Sequence, residues 1–196
     1  MSKDTAPNDP IEKRLREAII GDIEPQTIVV ADYDPAWPER FRYEEARIRA
    51  ALGAAALSVE HIGSTSVPGL AAKPILDVLL VVEDPGDEGF YVPAIEGAGY
   101  VLRVREPGFD EHRMFRTPAK DVHVHVFSPG SPEIDRYLLL RERLREDEGD
   151  RELYARTKRE LASREWPSMQ HYAEAKTEVI EGIIARAAAA PASKDS

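Results

Sequence analysis

The stretch from Ile75 to Val82 constrains the fold most, because it is apolar at every position but one. Such a continuous run of β-branched and aliphatic side chains is typical of a strand that is buried on both faces of a sheet. A single carboxylate, Asp77, interrupts the run. Because an unpaired buried carboxylate is costly, we expect Asp77 to bind a metal, a cation or several hydrogen-bond donors.

The length and charge of the chain exclude several classes of protein. Its 196 residues are enough for one domain with a real core, and we predict a single domain over residues 11–186. We expect the polar N-terminus 1–10 and the tail 187–196 to be disordered. The net charge of −10 argues against a sequence-independent nucleic-acid binder, so no nucleic-acid partner is expected.

The absence of cysteine and of long apolar segments restricts the setting of the protein. Without cysteine there is neither a disulfide framework nor a thiolate zinc site, and nothing requires an oxidising compartment. No apolar run approaches the roughly 18 to 20 residues that a membrane span needs. We therefore expect a soluble, cytoplasmic protein without a membrane partner.

Hydrophobic periodicity predicts a mixture of strands and helices. Strands are expected at 28–30, 57–62, 75–82, 100–104, 113–117 and 122–127. Helices are expected at 11–19, 38–52, 85–97, 133–146, 151–163 and 168–187, with breaks at Gly149 and at Trp166-Pro167. The order predicts an α+β fold, in which a mixed sheet is flanked by helices and followed by a helical C-terminal part.

A glycine turn rich in hydroxyl groups precedes the apolar strand. Gly63 is followed by Ser64, Thr65 and Ser66. Glycine permits the unusual dihedral angles and the close backbone approach that a phosphate-binding turn requires, and the hydroxyls lie beside backbone N–H groups. The turn therefore predicts a phosphate site, although the same residues are also typical of a turn that caps a short helix.

Lys73 and Asp77 carry opposite charges at the start of the strand. Lys73 could neutralise a bound phosphate, or it could pair with Asp77 instead. A strand-borne carboxylate beside a phosphate site is the arrangement that holds Mg²⁺ against a nucleoside triphosphate, so we predict that Asp77 is a catalytic metal ligand. The alternative is a structural aspartate that accepts backbone N–H bonds at the end of its strand.

Two histidines alternate with three valines in the predicted strand at 122–127. Strand geometry places His123 and His125 on one face and the valines on the other. Both imidazoles could join Asp77 around one ion, and neutral imidazole suits Zn²⁺, Mn²⁺ or Fe²⁺ better than Mg²⁺. The alternative is a pair of polar histidines half exposed on the sheet. His61, just before the glycine turn, is a further catalytic candidate, as a general base.

Arginines alternate with apolar residues on the two strands that precede the histidine strand. They are Arg103, Arg105, Arg113 and Arg116. Those that share the histidine face would form a phosphate-binding floor, and Arg113 is the candidate that we retain. The alternative is that these arginines pair with surface carboxylates, as most exposed arginines do.

Several motifs together resemble one known family. They are YDPAWPERF at 33–41, EHIGSTSVPGLAAKPILD at 60–77, HVHVF at 123–127, GSPE at 130–133 and YAEAKT at 172–177. On these motifs the chain resembles the GrpB (UPF0157) family from about residue 28 to 186. The resemblance implies a fold similar to the nucleotidyltransferase superfamily, and a relation to the C-terminal domain of some bacterial dephospho-CoA kinases. It also implies a role for Lys176, which would otherwise be typical of a solvated surface.

The nucleotidyltransferase signature is met only in part. That superfamily has a glycine-serine pair, a short spacer and two acids separated by one residue. Gly63, Ser64 and Asp77 have this spacing, but Leu79 occupies the second acid position. Two carboxylates on one strand face hold two catalytic metals, and one aspartate cannot do this alone. Either another strand supplies ligands, or the site binds a nucleotide without transferring it.

Two classes of function follow from these residues. In the first, the chain is a nucleotidyltransferase-like enzyme that binds ATP or another nucleoside triphosphate with a divalent metal, Mg²⁺ or Mn²⁺ and alternatively Zn²⁺, and transfers a nucleotidyl group to a small-molecule acceptor. In the second, it is a non-catalytic nucleotide-binding or assembly module with a protein partner. A His/Asp metal-dependent hydrolase is a third alternative.

Overall fold

A five-stranded mixed sheet forms the centre of the protein in a computed structural model that describes residues 9–22, 28–166 and 168–189. The strands are β1 (Ser58–Ile62), β2 (Leu76–Val81), β3 (Val101–Glu106), β4 (His112–Arg116) and β5 (Val122–Phe127), in the order β1-β2-β5-β4-β3. β2 and β5 are parallel and the other neighbours are antiparallel. The predicted α+β class with a mixed sheet is confirmed.

Seven α-helices surround this sheet in the described part of the chain. They are α1 (Pro10–Ala18), α2 (Trp37–Leu52), α3 (Glu88–Gly97), α4 (Pro132–Glu146), α5 (Glu148–Ala162), α6 (Met169–Glu174) and α7 (Thr177–Ala189). Side-chain caps fix three of their starts: the oxygens of Asp9, Ser131 and Asp147 accept backbone N–H bonds of α1, α4 and α5. None of the helices in the described ranges is both long and apolar enough to cross a membrane.

Alternation along β2 and β5 gives the sheet two different faces. Leu76, Val78 and Leu80 of β2 lie with the three valines of β5 against α2 and α3, in a core that includes Ile48 and Tyr91. The other face carries Asp77, Leu79 and the two histidines. Its apolar part packs against α4 around Leu79 and Phe127. The first face is therefore the main core, and the second is shared between packing and polar groups.

The structure corrects the prediction of a strand at 28–30. These residues have no regular structure, and Val29 is half exposed. Only the neighbouring Ala31 pairs, through one isolated bridge to Ala72. The segment that would have to extend this ladder contains Pro74, which has no N–H to donate, so the pairing stops after one residue.

The helical C-terminal part also differs from the prediction in its breaks. Gly149 lies in the first turn of α5 rather than between helices, because Asp147 accepts the backbone N–H of Asp150 and starts the helix before the glycine. The helix expected at 168–187 is two helices, α6 and α7. Pro167 lies outside the described residues.

The termini are partly helical where disorder is predicted. Pro10 begins α1 after its cap Asp9, and residues 187–189 continue α7. Alanine, which fills this end of α7, has the highest helix propensity, so the run extends the helix. Residues 1–8 and 190–196 lie outside the described residues.

Asp150 joins three C-terminal helices at one buried carboxylate. The Nε atoms of Arg143 on α4 and Arg186 on α7 lie 2.7 and 3.0 Å from its oxygens. Asp150 is 6% exposed, and although burial would raise its pKa, the two guanidinium groups hold that pKa below its usual range. Helices α4, α5 and α7 are thus tied together by one charge.

Replacing Asp150 with Asn should lower the free energy of unfolding by about 2–3 kcal/mol, because two arginines lose their common anion. The loss stays below that of a fully buried pair because both guanidinium groups keep contact with solvent. Urea unfolding monitored by circular dichroism measures it. Glu152→Gln, an exposed change on the same helix, is the control and should alter stability by less than about 0.5 kcal/mol; equal losses in the two variants would contradict this account.

Candidate functional site

Asp77, His123 and His125 form one cluster on the second face of the sheet. The parallel register pairs Asp77 with His123 and Leu79 with His125, so the three polar side chains leave the sheet on the same side. Asp77 Oδ1 lies 3.6 Å from His123 Nδ1 and 3.6 Å from His125 Nε2. These distances exceed those of hydrogen bonds, and one ligand atom from each residue lies within 4.8 Å of the others.

This donor set fits a divalent metal ion. Zinc and similar ions bind imidazole nitrogen and carboxylate oxygen at about 2.0–2.1 Å, which separates two ligand atoms by roughly 3.3–3.5 Å in a tetrahedral site. The two observed spacings between Asp77 and the histidines, both 3.6 Å, are close to this separation. All three side chains are between 19 and 32% exposed, so the cluster opens to solvent on one side.

The charge of Asp77 is set by its two histidine neighbours. Burial would raise the pKa of the carboxyl group, but the nearby imidazoles of His123 and His125 outweigh this effect and lower that pKa well below its usual range. Asp77 is therefore ionised at neutral pH. An ionised carboxylate beside two imidazoles is the state in which all three can bind a cation.

The glycine turn directly contacts Asp77. Gly63 follows β1 and has φ +69° and ψ −173°, a combination that is essentially restricted to glycine. A Cβ atom at this position would lie only 2.4 Å from Asp77 Oδ2. Gly63 is thus required for the close approach of the turn to the carboxylate, and the structure brings the predicted turn and the predicted metal ligand together.

The sequence predicts that the three hydroxyls of the turn share one phosphate site. In the structure each of them has a different hydrogen-bond partner. Thr65 and Ser66 are buried, and their hydroxyls bond to His61 Nε2 at 3.0 Å and to the Gly63 carbonyl oxygen at 2.6 Å. Ser64 Oγ instead accepts a hydrogen bond from Lys158 Nζ at 2.9 Å. Two hydroxyls therefore hold the turn in shape, and Ser64 is the one placed beside a cation.

His61 lies on the opposite face of the sheet from the cluster, which corrects its prediction as a general base. It pairs with Val78 and stacks on Phe41 of α2 at 4.7 Å between ring centroids. Burial lowers the pKa of His61 to about 4, against a smaller opposing effect of Asp77. The buried imidazole of His61 therefore supports the turn through its contact with Thr65.

Lys158 is a buried cation that the sequence analysis missed. It lies on α5, is 3% exposed, and donates to Ser64 Oγ and to the Ala71 carbonyl oxygen. Its ammonium group also lies 4.5 Å from the centre of the Tyr154 ring. One signal was available: Tyr154, Lys158 and Leu161 are spaced four and three residues apart, and all three lie on the buried stripe of α5.

Two predicted lysines, Lys73 and Lys176, lie within electrostatic range of the same carboxylate. Burial lowers the pKa of Lys176, and the nearby Tyr172 and Asp77 oppose it. Burial also lowers the pKa of Lys73. The nearby Asp77 raises that pKa, and Lys176 lowers it further. Lys176 lies between α6 and α7 with its ammonium over the Tyr172 ring at 4.7 Å. These lysines and Lys158 form a local cluster of basic residues in an acidic protein.

Arg113 does not lie with these lysines, although the sequence predicts it as part of a phosphate-binding floor. It pairs with Val126 and therefore lies on the valine face of the sheet. Its side chain is buried there, with Nε 2.7 Å from a carboxylate oxygen of Glu88 on α3. Strand alternation places Arg116, three residues further on, on the histidine face, where it pairs with His123.

Comparison with known proteins gives one consistent family. The model of the family described as GrpB protein matches residues 27–186. The UPF0157 protein BH1888 of Halalkalibacterium halodurans is 50% identical over 188 residues, which cover 94% of this chain and 96% of that protein. The crystal structure of the conserved protein GrpB from Enterococcus faecalis is 37% identical, has a TM-score of 0.73 and covers 81% of this chain and 96% of that chain.

A partial similarity to a kinase agrees with the resemblance found in the motifs. Seventy residues are 37% identical to the dephospho-CoA kinase of Mycolicibacterium paratuberculosis, which corresponds to 34% of this chain and 17% of that protein. The similarity covers a minority of both proteins. It supports common ancestry of this segment, and the kinase reaction is a property of that kinase.

Replacing Gly63 with Ala should destabilise the fold through both backbone strain and a clash with Asp77. Gly69→Ala is a matched control, because Gly69 also has a positive φ, +77°, but a Cβ there would meet no atom within 4 Å. We expect about 1–2 kcal/mol for Gly69→Ala. The free energy of unfolding of Gly63→Ala should be lower than that of Gly69→Ala by roughly a further 2 kcal/mol. Chemical denaturation of both variants tests this, and similar losses would show that the contact with Asp77 is unimportant.

The pKa of Lys158, lowered to about 7 by its burial and then by Lys176 and Arg159, makes stability depend on pH. Unfolded lysine titrates near 10.4, so at mildly alkaline pH the unfolded chain binds more protons. The free energy of unfolding should therefore rise between about pH 7 and 10, by at most about 1.4 kcal/mol per pH unit from this group.

Lys158→Met should flatten this rise, because the titrating group is gone. Urea unfolding at several pH values between 7 and 9.5 gives the slope. Lys13→Met, at an exposed position of α1, is the control and should keep the wild-type slope. A slope that is unchanged in Lys158→Met would show that the ammonium group is not desolvated.

Proposed function

The chain belongs to the GrpB family, and from the site described above we propose that this member binds a nucleoside triphosphate together with a divalent metal and transfers a nucleotidyl group to a small hydroxyl or amine acceptor. The observation that carries the proposal is the contact of Gly63 with Asp77. This contact brings the hydroxyl-rich turn and the cluster of Asp77 with two histidines into one place. A metal-bound polyphosphate needs both.

The phosphates would bind where the positive charge is concentrated. The ammonium of Lys158 donates to Ser64 Oγ at 2.9 Å, and these two groups would form the floor of the phosphate site. Lys73 and Lys176 add charge around it. Lysine is a frequent phosphate ligand, and buried cations attract an anion strongly because little water screens them.

The metal would bind to Asp77, His123 and His125 at the edge of this phosphate site. When bound there, a divalent ion supplies charge neutralisation for the phosphates and orients them. The chain itself contributes the position: Gly63 allows the approach and the lysines hold the polyphosphate. Catalysis would then consist mainly of orientation and electrostatic stabilisation, as is usual for transfer of phosphorus groups.

The absence of a second acid next to Asp77 on β2 determines how many metal ions this proposal uses. Leu79 is fully buried among Ile62, Val81 and Phe127, so no carboxylate follows Asp77 on its strand face. The two histidines of β5 take the place of such an acid as ligands. The donor set accommodates one ion, and the proposal therefore uses one metal rather than two.

The same observation favours a second candidate, a module that binds a nucleotide without transferring it. With Leu79 in the second acid position, the site could hold a metal-bound nucleotide and lack the groups for turnover. The partial similarity to a dephospho-CoA kinase is compatible with a partner protein that is a nucleotide enzyme. The two candidates share the binding site and differ only in the appearance of product.

Asp77→Asn should abolish stabilisation of the protein by ATP and Mn²⁺, because it removes the anionic metal ligand. At concentrations 100-fold above Kd, ligand binding adds about 2.7 kcal/mol, which raises the melting temperature of the wild-type protein by roughly 5–10 °C. Thermal unfolding with and without ATP and Mn²⁺ measures the shift. Asp135→Asn, an exposed change on α4, is the control and should keep it.

Product analysis separates the two candidates. ATP labelled at the α-phosphate is incubated with Mn²⁺ and a panel of hydroxyl and amine acceptors. A labelled product that depends on both Asp77 and Ser64 supports transfer, whereas binding without product supports the module. If the wild-type protein shows neither a thermal shift nor a product, both candidates are rejected.

A further inference from the structure

We propose that His112 and Glu106 act as positioning residues that orient His125 as a metal ligand, and that the site is therefore built for a first-row transition metal such as Zn²⁺ or Mn²⁺ rather than Mg²⁺. This inference rests on the metal site proposed above and extends it to two residues behind the cluster. Neither residue stands out in the sequence, because they lie on different strands and meet only across the sheet.

The three side chains form a continuous hydrogen-bonded row. Glu106 and His112 are direct partners across β3 and β4, and the Glu106 carboxylate lies 2.8 Å from His112 Nδ1. The other nitrogen of this ring, Nε2, lies 3.2 Å from His125 Nδ1. His125 Nε2 is then the atom that faces Asp77. The row thus runs along one face of the sheet, from the Glu106 carboxylate on β3 to the cluster around Asp77.

The row determines which nitrogen of His125 is free for a metal. A metal at His125 Nε2 requires a lone pair there, so the proton of the neutral ring is on Nδ1. That N–H can donate only to a lone pair on His112 Nε2. The proton of His112 must then be on Nδ1, where the Glu106 carboxylate accepts it. Each hydrogen bond in the row has one donor and one acceptor, and the carboxylate at its end fixes the direction.

Packing holds the two imidazoles parallel as well. His112 is 6% exposed, and its ring is nearly coplanar with the ring of His125, with 5.4 Å between centroids and 11° between planes, as an edge-to-edge hydrogen bond requires. It stacks on Phe127 at 4.7 Å. Tyr137 of α4 lies 6.0 Å from the His125 ring. The orientation of His125 is therefore fixed by contacts on its hydrogen-bonded edge and on its face.

The resulting donor set distinguishes metals by ligand preference. It offers two imidazole nitrogens and one carboxylate oxygen, and the partly exposed Glu106 carboxylate, acting through His112, raises the basicity of one imidazole. Mg²⁺ prefers six oxygen ligands and keeps several waters, so nitrogen ligands select against it. Outer partners of a ligating histidine typically contribute 10- to 100-fold to metal affinity.

Titration of the full-length protein with Co²⁺ tests the inference, because this ion takes zinc-like sites and its ligand-field absorption reports the ligands directly. We expect wild type to develop ligand-field bands that Asp77→Asn abolishes. His112→Phe, which keeps the ring stack but removes the acceptor for His125, should bind Co²⁺ 10- to 100-fold more weakly, with shifted bands. His171→Phe is the matched control, because His171 pairs with Asp9 away from the cluster, and it should match wild type.

Glu106→Gln is a second variant, which keeps the size of the side chain and removes its charge. It should weaken Co²⁺ binding in the same direction, and a ten-fold or larger excess of Mg²⁺ should not displace Co²⁺ from wild type. The thermal stability of each metal-free variant is measured in parallel, and Glu106→Gln alone decides the matter if His112→Phe does not fold.

The outcomes separate this inference from the proposed function. If wild type binds Co²⁺ through Asp77 but both variants bind it as tightly as wild type, the positioning role is overturned and the metal site stands. If Mg²⁺ displaces Co²⁺ readily, the metal class is overturned. If wild type shows no ligand-field bands at all, the metal site fails, and the inference fails with it.

Discussion

The contact between the backbone of Gly63 and the carboxylate of Asp77 is the interaction on which the rest of the site depends. A strand that is otherwise fully apolar accepts this charge because the turn after β1 comes close enough to shield it while β5 supplies two imidazoles. Any side chain at position 63 would occupy the space of a carboxylate oxygen. The glycine, the acid and the histidines are therefore one structural unit, although they come from three separate segments.

Around this unit the protein concentrates positive charge against its own net charge of −10. Lys158 contacts the turn, Lys73 and Lys176 lie within electrostatic range of Asp77, and burial lowers the pKa of each of these lysines. Desolvation of a charged group is unfavourable, so the rest of the fold must offset the cost of burying these lysines. Lys158 shows this most clearly, because it is 3% exposed and its partners are a hydroxyl and a carbonyl oxygen.

Side chains alternate between the two faces of the sheet, so one face contributes to the core and the other to the site. Odd and even residues of β4 and β5 point to opposite sides, so His123 and His125 join the site while Arg113 and the valines join the core. His61 is on the core side for the same reason. Alternation within one strand could be predicted from the sequence. Which side chains of two neighbouring strands share a face depends on the register, because a shift by one residue moves every side chain of a strand to the opposite face.

The sequence by itself determined the α+β class, the strand around Asp77, the pairing of the two imidazoles on one side of β5 and the need for glycine before the serine-rich turn, because these follow from local period and from the cost of burying a charge. Only the tertiary structure decided that Thr65 and Ser66 are internal, that Lys158 reaches the turn and that Glu106 and His112 stand behind His125. Those contacts join residues from separate elements, and their distances depend on strand order, register and helix packing, which local patterns do not encode.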